Sequence, residues 1–383
     1  FEVTSFSRML PQDKEAMQRY LASGVIKGIG SALASRIVKE FGDDTFRIME
    51  NEPERLAQIK GISDAKACEI GEQFSAQSAS RQAMVFLQKF GLTPSMAMRI
   101  YKELGQKTIA TVSANPYILA EKIQGMGFRR ADEIARQMGI PAESPARIRS
   151  AARFALQNAS GEGHTYLPME QLENAVFDLT GVQGTELENA ITQSVLEGRF
   201  IQKNEQNQQR IYLKKLYLAA AGAASKLMEL AAFPRRATKT DYSAKVAEME
   251  SKVGTTLSDE QRDAVLAALT EGVLIITGGP GTGKTTIINV LLELLDAERL
   301  SYLLAAPTGR AAKRMTEATG REAKTIHRLL EIQFGTGDRE RQIFQRDEEH
   351  PLKADVIVLD EVSMIDVTLM HHLLKAVAPG TRL

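Results

Sequence analysis

Tryptophan is absent from these 383 residues, and cysteine occurs once, at Cys68. One cysteine cannot close an internal disulfide, and no signal-peptide pattern opens the chain, so a reducing compartment, the cytoplasm, is the expected one. Cys68 itself reads as core. Long apolar runs are lacking too: Leu216–Ala224 and Val273–Thr277 are the most extended, short of the roughly 18 residues a membrane span needs. No membrane partner is expected. An excess charge of either sign is also missing, since 48 Lys and Arg balance 48 Asp and Glu. Any nucleic-acid contact must therefore come from local patches. Hydrophobic residues at 43% and charged ones at 25% exclude fibrous and largely disordered classes. The length predicts two to four domains, each able to bury its own core.

What recurs is a glycine turn. IKGIG at 26–30, followed by Ala34, Ile37 and Val38, returns as IKGIS at 59–63, followed by Ala67 and Ile70, with Gly28 and Gly61 33 residues apart. A weaker copy surrounds Gly91, and IQGMG at 123–127 precedes Ala131, Ile134 and Ala135. Each copy predicts helix, tight turn, helix. The apolar residue between the glycines anchors the turn, while the amides opening the second helix, aided by its dipole, make a phosphate site that needs no net positive charge. That suits a neutral chain. The pattern resembles the helix-hairpin-helix motif of DNA-binding proteins, in tandem over 20–144. Ser63 replaces the second glycine of copy two and copy three is degenerate, so Gly28, Gly30, Gly125 and Gly127 are the candidate DNA-binding residues. A structural array or a protein-docking module is the competing reading.

Residues 145–232 change character. A helix from about Pro145 to Asn158, a short HTYLP strand and amphipathic helices near 168–179 and 184–197 lead into RFIQKNEQNQQRIYL, 199–213. The alternation of that last segment about a polar tip predicts a hairpin. This is the order of a winged-helix-like α+β unit, which serves DNA binding in some proteins and spacing in others. Leu216–Leu230 reads as an Ala-rich helix and 233–256 as a charged connector. The opening FEVTSF alternates like the tail of a strand, so 1–19 reads as the end of a β domain and the chain as a stretch of a longer protein.

From Leu257 onward the pattern is α/β. VLIITG at 273–278 predicts a buried strand, GGPGTGKTT at 278–286 a phosphate-binding loop, and IINVLLELL a helix, the context a P-loop requires. Gly279, Pro280, Gly281, Thr282 and Gly283 would wrap the phosphates of ATP, with Thr286 closing the loop. Lys284 would reach the β and γ phosphates, and the Thr285 hydroxyl would meet Mg²⁺. DVIVLDEVSMID at 355–366 predicts a second buried strand ending in two carboxylates. Asp360 would hold Mg²⁺ and Glu361 would deprotonate the attacking water. Kinases, GTPases and AAA machines share this pair, so it does not choose among them.

LSDEQRDAV at 257–265, APTGRAAKRM at 306–315 and TIHRLL at 325–330 choose. With these segments the chain resembles superfamily 1 helicases of the RecD-like family. SGVIKGIG, NPYILA with IQGMGFRRAD, and GEGHTYL are similar to that family's long form, so the resemblance covers most of the chain. It implies a multidomain protein: an all-α tandem helix-hairpin-helix region, a winged-helix-like region, and at 257–383 a RecA-like motor domain. By the same resemblance Gln261 would read adenine, and Thr308, Gly309, Arg310, Lys313, Arg314, Thr325 and His327 would contact single-stranded DNA or a junction with duplex. His371 and His372 are expected at the surface. A hairpin insertion at about 331–350, turning at GTGD 335–338, would act as a pin that splits the duplex; shortening 335–340 should abolish unwinding and spare ATP hydrolysis. The family's Gly-Asp-x-x-Gln sensor and second RecA-like domain are not reached by Leu383, so these residues alone are expected to bind ATP weakly and turn it over poorly. A non-motor ATP switch that docks repair proteins, or an AAA-type remodeller, are the alternatives; the second gives APTGRAAKRM and TIHRLL no role.

Overall fold

A computed structural model describes residues 14–22, 26–233, 241–279, 281–334 and 342–383. The chain divides into two compact units, 1–154 with 176–190, and 155–175 with 191–383. Helices α1 (Lys14–Tyr20), α2 (Ser31–Phe41), α3 (Thr45–Asn51), α4 (Asp64–Gln88), α5 (Pro94–Leu104), α6 (Thr108–Ala114), α7 (Ile118–Lys122) and α8 (Phe128–Gln137) fill the first. The strand expected at FEVTSF lies outside the described residues, and 14–20, expected within a β domain, is helical instead. The reason is packing: Met17 and Leu21 are buried with Ile26, Ile37, Leu56 and Phe74 in one core. A second core gathers Leu87, Leu92, Ile100, Leu119, Ile123 and Ile134. The glycine turns are thus housed two by two, the first pair around one core and the second pair around the other. Each fully buried Leu or Ile contributes roughly 1.5–3 kcal/mol, which lets a module this small hold its turns rigidly. Cys68 is exposed rather than core. In the first turns of α4 Ala67, Ile70 and Phe74 are buried, and Cys68 falls one residue off that stripe.

Next come α9 (Pro145–Gly161), β1 (Tyr166–Pro168), α10 (Met169–Thr180), α11 (Thr185–Leu196), β2 (Phe200–Glu205), β3 (Gln208–Leu213) and α12 (Lys214–Ala232). The strands form an antiparallel sheet ordered β1-β3-β2, the winged-helix arrangement. Gln206 and Asn207 join β2 to β3 with φ of 51° and 59°, the positive values a two-residue hairpin turn needs.

The α/β region comprises α13 (Tyr242–Val253), α14 (Asp259–Thr270), α15 (Lys284–Ala297), β4 (Tyr302–Ala306), α16 (Gly309–Thr319), β5 (Ala323–Thr325), α17 (Ile326–Leu329), β6 (Gln333–Phe334), β7 (Gln342–Ile343), β8 (Val356–Leu359) and α18 (Val367–Lys375). The expected connector is only partly one, because α13 buries Val246 and Met249 in the core beneath α14 and α15. Glu248 and Lys252 are exposed, and the charged sequence conceals an apolar pair at i, i+3.

Strands β5, β4 and β8 run parallel in that order. Arg382 bridges to Val356 in parallel, and Leu383 exchanges hydrogen bonds with Gly272 and Leu274, so residues 381–383 and 272–274 extend the sheet. Leu304 and Val356 face one core, Ala305 and Ile357 the other, giving a sheet covered on both sides. The strand expected at 273–278 is corrected here. Hydrogen bonds join Gly272 and Leu274 to Leu383, and Ile275 is 84% exposed. His371 and His372 are half-buried rather than at the surface: His372 stacks on Phe344 at 4.1 Å, and His371 Nδ1 is buried without a hydrogen-bond partner among the described residues. Burial holds both imidazoles below their ordinary value, so both are neutral near pH 7. No described helix is long and apolar enough to cross a membrane.

Candidate functional site

The hairpin turns share one backbone design. Gly28, Gly61, Gly91 and Gly125 adopt φ of +88°, +100°, +70° and +83°, where a side chain would be strained. The position two residues on is different: Gly30, Ser63, Thr93 and Gly127 are helix N-caps in extended conformation, open to any residue. Ser63 accepts from the Lys66 amide and Thr93 from the Met96 amide, so those helices cap themselves. Gly30 and Gly127 provide no side-chain cap, and among the described residues nothing lies within 4 Å of where a Cβ would sit. What glycine supplies at 30 and 127 is bareness, leaving the first amides of α2 and α8 open to a ligand's oxygens.

Cations cross between the hairpins of each module. Arg36 donates to the Lys60 carbonyl in the second turn, and the Lys66 Nζ stands 3.7 Å from a Cβ built on Gly28 in the first. In the other module Arg99 donates to the Gln124 carbonyl at 3.2 Å and Arg130 to that of Gly91 at 2.8 Å. These four cations were missed in the sequence. Arg36 and Arg99 each follow their N-cap by six residues, and Lys66 and Arg130 theirs by three, which is the signal that could have found them.

In the α/β region, Gly281 and Gly283 turn the loop at φ +77° and +82°. Pro280 lies outside the described residues. Lys284 Nζ donates to the carbonyls of Gly278 at 2.6 Å and Gly279 at 2.8 Å, and Thr282 Oγ1 donates to Gly279 at 2.9 Å. Thr285 is exposed and Thr286 half-buried at the start of α15. Ser258 caps α14 and Gln261 reciprocates, its Oε1 accepting from the Ser258 amide at 3.0 Å. Gln261 Nε2 donates to the Thr282 carbonyl at 3.0 Å and stands 2.4 Å from where a Gly283 Cβ would sit, a second reason for glycine there. The amide keeps one donor and one acceptor free, the pair adenine's N7 and N6 amino group would use.

Asp360 follows β8, its Oδ1 accepting from the Glu361 amide at 2.9 Å. Glu361 is exposed and takes φ +52°, a conformation costing about 1–3 kcal/mol for a non-glycine residue and concentrated at functional sites. Two threonines cap helices after neighbouring strands: Thr308 accepts from the Ala311 amide after β4, and Thr325, beside Ala306 in the ladder, accepts from the Arg328 amide after β5. Gly309, Arg310, Lys313 and Arg314 are exposed on α16, with Lys313 3.6 Å from Glu317; His327 is half-buried. The parallel strands bring the loop, the acidic pair and both threonine-capped turns to one carboxyl edge, where ligands of open α/β sheets bind. Thr285 and Asp360 offer the hard oxygen donors Mg²⁺ takes. Among the described residues no three His, Cys, Asp or Glu cluster as a protein-only metal site.

Residues 261–383 match the family model of an AAA domain, 76–166 that of the ATP-dependent RecD2 DNA helicase HHH domain, and 19–73 that of a SAM-like helix-hairpin-helix tandem. The ATP-dependent RecD2 DNA helicase of Deinococcus radiodurans is 33% identical over 387 aligned residues, covering 97% of this chain and 52% of that protein. Along nearly its whole length the chain is similar to a RecD-like helicase. The RecBCD enzyme subunit RecD of Mycobacterium tuberculosis is 43% identical over 148 residues, 33% of this chain and 25% of that one. The ATP-dependent DNA helicase dda of Enterobacteria phage T4 is 40% identical over 106, 27% and 24% of the two chains. The chain thus spans about half the length of its RecD2 relative. The boundary between the two helix-hairpin-helix models, 73 and 76, falls within α4, which supplies Phe74 to one core and Leu87 to the other.

The bareness of Gly30 and Gly127 makes a test for a RecD-like chain. G127S should cap α8, raising stability by a few tenths of a kcal/mol while weakening DNA binding by about tenfold through loss of phosphate-binding amides. A fluorescence anisotropy titration checks it; undiminished DNA affinity would show that these amides do not hold phosphate.

Proposed function

We propose that the protein carrying these residues is an ATP-dependent DNA helicase of the cytoplasm, acting in repair or recombination, that moves 5′ to 3′ on single-stranded DNA and unwinds duplex ahead of it. The observation that carries this reading is the common carboxyl edge, where the glycine loop, Asp360–Glu361 and the turns capped by Thr308 and Thr325 share one sheet. On ATP binding, Lys284 would leave the Gly278 and Gly279 carbonyls for the β and γ phosphates. Thr285 and Asp360 would hold Mg²⁺, which when bound neutralises phosphate charge. Glu361 would take the proton of the attacking water. Gln261 would present its free donor and acceptor to adenine.

DNA would lie over Thr308–Arg310, Thr325 and His327, with Lys313 and Arg314 on its phosphates. Because β4 ends at Ala306 and β8 at Leu359 in one ladder, a change at Asp360 can be transmitted to Thr308 across adjacent strands. The helix-hairpin-helix modules would hold a second stretch of DNA through Gly28, Gly30, Gly125 and Gly127, or dock a protein partner. Strands β6 and β7 pair antiparallel, as the proposed pin requires; its tip at 335–341 lies outside the described residues.

The test uses full-length protein on duplexes bearing a 5′ or a 3′ single-stranded tail. Unwinding of the 5′-tailed substrate alone is the expected result; preference for the 3′ tail would reverse the polarity, and unwinding of neither would favour an ATP-controlled switch.

A further inference from the structure

We infer that Glu250 is a positioning residue for base selection in the nucleotide site, acting through Gln261; this rests on the proposal that Gln261 reads adenine. Glu250 lies on α13, in the segment whose sequence suggested only a connector. Its Oε1 accepts from the Leu257 amide at 2.6 Å, and its two oxygens receive the Arg262 guanidinium at 3.2 and 3.3 Å. The carboxylate side chain is 11% exposed. Its main-chain carbonyl accepts the Gly254 cap amide and the Thr255 amide at 3.1 Å. Glu250 therefore fastens both ends of the four-residue turn 254–257 that leads into α14.

That turn sets where α14 begins. Leu257 precedes the Ser258 cap, Gln261 is in the first helical turn, and Arg262 is its immediate neighbour. Gln261 has to stand at one depth, since its Nε2 meets the Thr282 carbonyl in space that a Gly283 side chain would fill. The Leu257 amide, followed by the Arg262 guanidinium, holds the Glu250 carboxyl below its usual range, so it stays ionised and keeps both contacts at neutral pH. The hydrogen bonds of the Glu250 carboxylate end at Leu257 and Arg262 and those of Lys284 at Gly278 and Gly279, with the Gln261 Nε2 contact to the Thr282 carbonyl as the link between them. Removing the Glu250 contacts should change how the base is read and leave the Lys284 contacts in place, whereas a general loss of packing would weaken both.

The experiment measures Mg²⁺-dependent binding of ATP and of inorganic tripolyphosphate to full-length wild-type, E250A, E250Q, Q261A and E250A/Q261A proteins. E250A should weaken ATP by about tenfold, the scale of a lost charged hydrogen bond, with tripolyphosphate unchanged. E250Q, of the same size and still able to accept from Leu257, guards against misfolding and should show a smaller loss, again for ATP only. The double variant should bind ATP as Q261A does, because one residue acts through the other. Additive losses, equal losses for both ligands, or a wild-type preference for ATP in both Glu250 variants while Q261A loses it would overturn the role of Glu250 alone. If Q261A retains its preference for ATP, adenine reading by Gln261 falls, and this inference with it.

Discussion

Lys284→Ala in the full-length protein is expected to lower DNA-stimulated ATP hydrolysis by about a hundredfold or more, the scale on which removal of a charge-stabilising donor acts. Among the described residues the ammonium is engaged only with the carbonyls of Gly278 and Gly279 on an exposed loop, which water can take over. Stability should therefore change by no more than about 0.5 kcal/mol, and DNA binding by the helix-hairpin-helix modules should persist. The loss belongs to the transition state, where charge develops on the transferred phosphate. Steady-state turnover at saturating single-stranded DNA reads it, and a variant retaining more than about a tenth of wild-type activity would contradict the role.

Arg147→Met should cost about 3–5 kcal/mol of local stability in the first unit, because it strands a buried carboxylate. Arg147 is 3% exposed and its partner Asp132 8%. Asp132 Oδ1 accepts from Arg147 Nε at 2.7 Å and the Tyr117 hydroxyl at 2.8 Å, while Oδ2 meets Arg147 Nη2 and Arg136 Nη2, each at 3.1 Å. Arg147 Nη1 goes on to the carbonyls of Ala142 and Thr180 at 3.0 and 2.9 Å. Burial by itself would raise the Asp132 carboxyl; the Arg147 and Tyr117 hydrogen bonds outweigh it and hold the carboxyl below the usual range.

The pH dependence follows from that sign. With its folded value depressed, Asp132 in the wild type contributes stability above the unfolded value of about 3.9, and the contribution is lost as pH falls through the folded value. In R147M burial dominates and the folded value rises, so stability present in acid is lost as pH climbs through it. Hydrogen exchange of the α8 amides should show protection growing from acid toward neutral pH in the wild type and shrinking in R147M; parallel trends would rule out the ion pair as the cause.

Features fixed by chemistry within a few residues could be read directly. Lys284 and Thr285 after a glycine loop, Asp360–Glu361 after an apolar run, and the glycine turns with their helices all carry local constraints, as does the hairpin that closes at Gln206–Asn207. Pairings across the chain left no such trace. Nothing near Val273 shows that 272–274 pair with 381–383, and the apolar run gives no sign that Ile275 is exposed. The charged residues of 241–253 hid Val246 and Met249, and Glu250 meets Leu257 and Arg262 only because α13 folds back on α14. Cys68 was misplaced because its type favours burial while its helical phase puts it in solvent. Ser63 and Thr93 looked like decay of a glycine pattern; as self-capping residues they distinguish closed hairpins from the open ones at Gly30 and Gly127.

The most direct measurement is ATP hydrolysis by the full-length protein with and without single-stranded DNA. A motor whose ATP loop and DNA track share one sheet edge should hydrolyse ATP at least about tenfold faster when the strand is bound, as expected if DNA completes the transition-state geometry, and the stimulation should fall when Thr308 and Thr325 are both replaced by alanine. Hydrolysis at the same rate without DNA would contradict a DNA motor at this site.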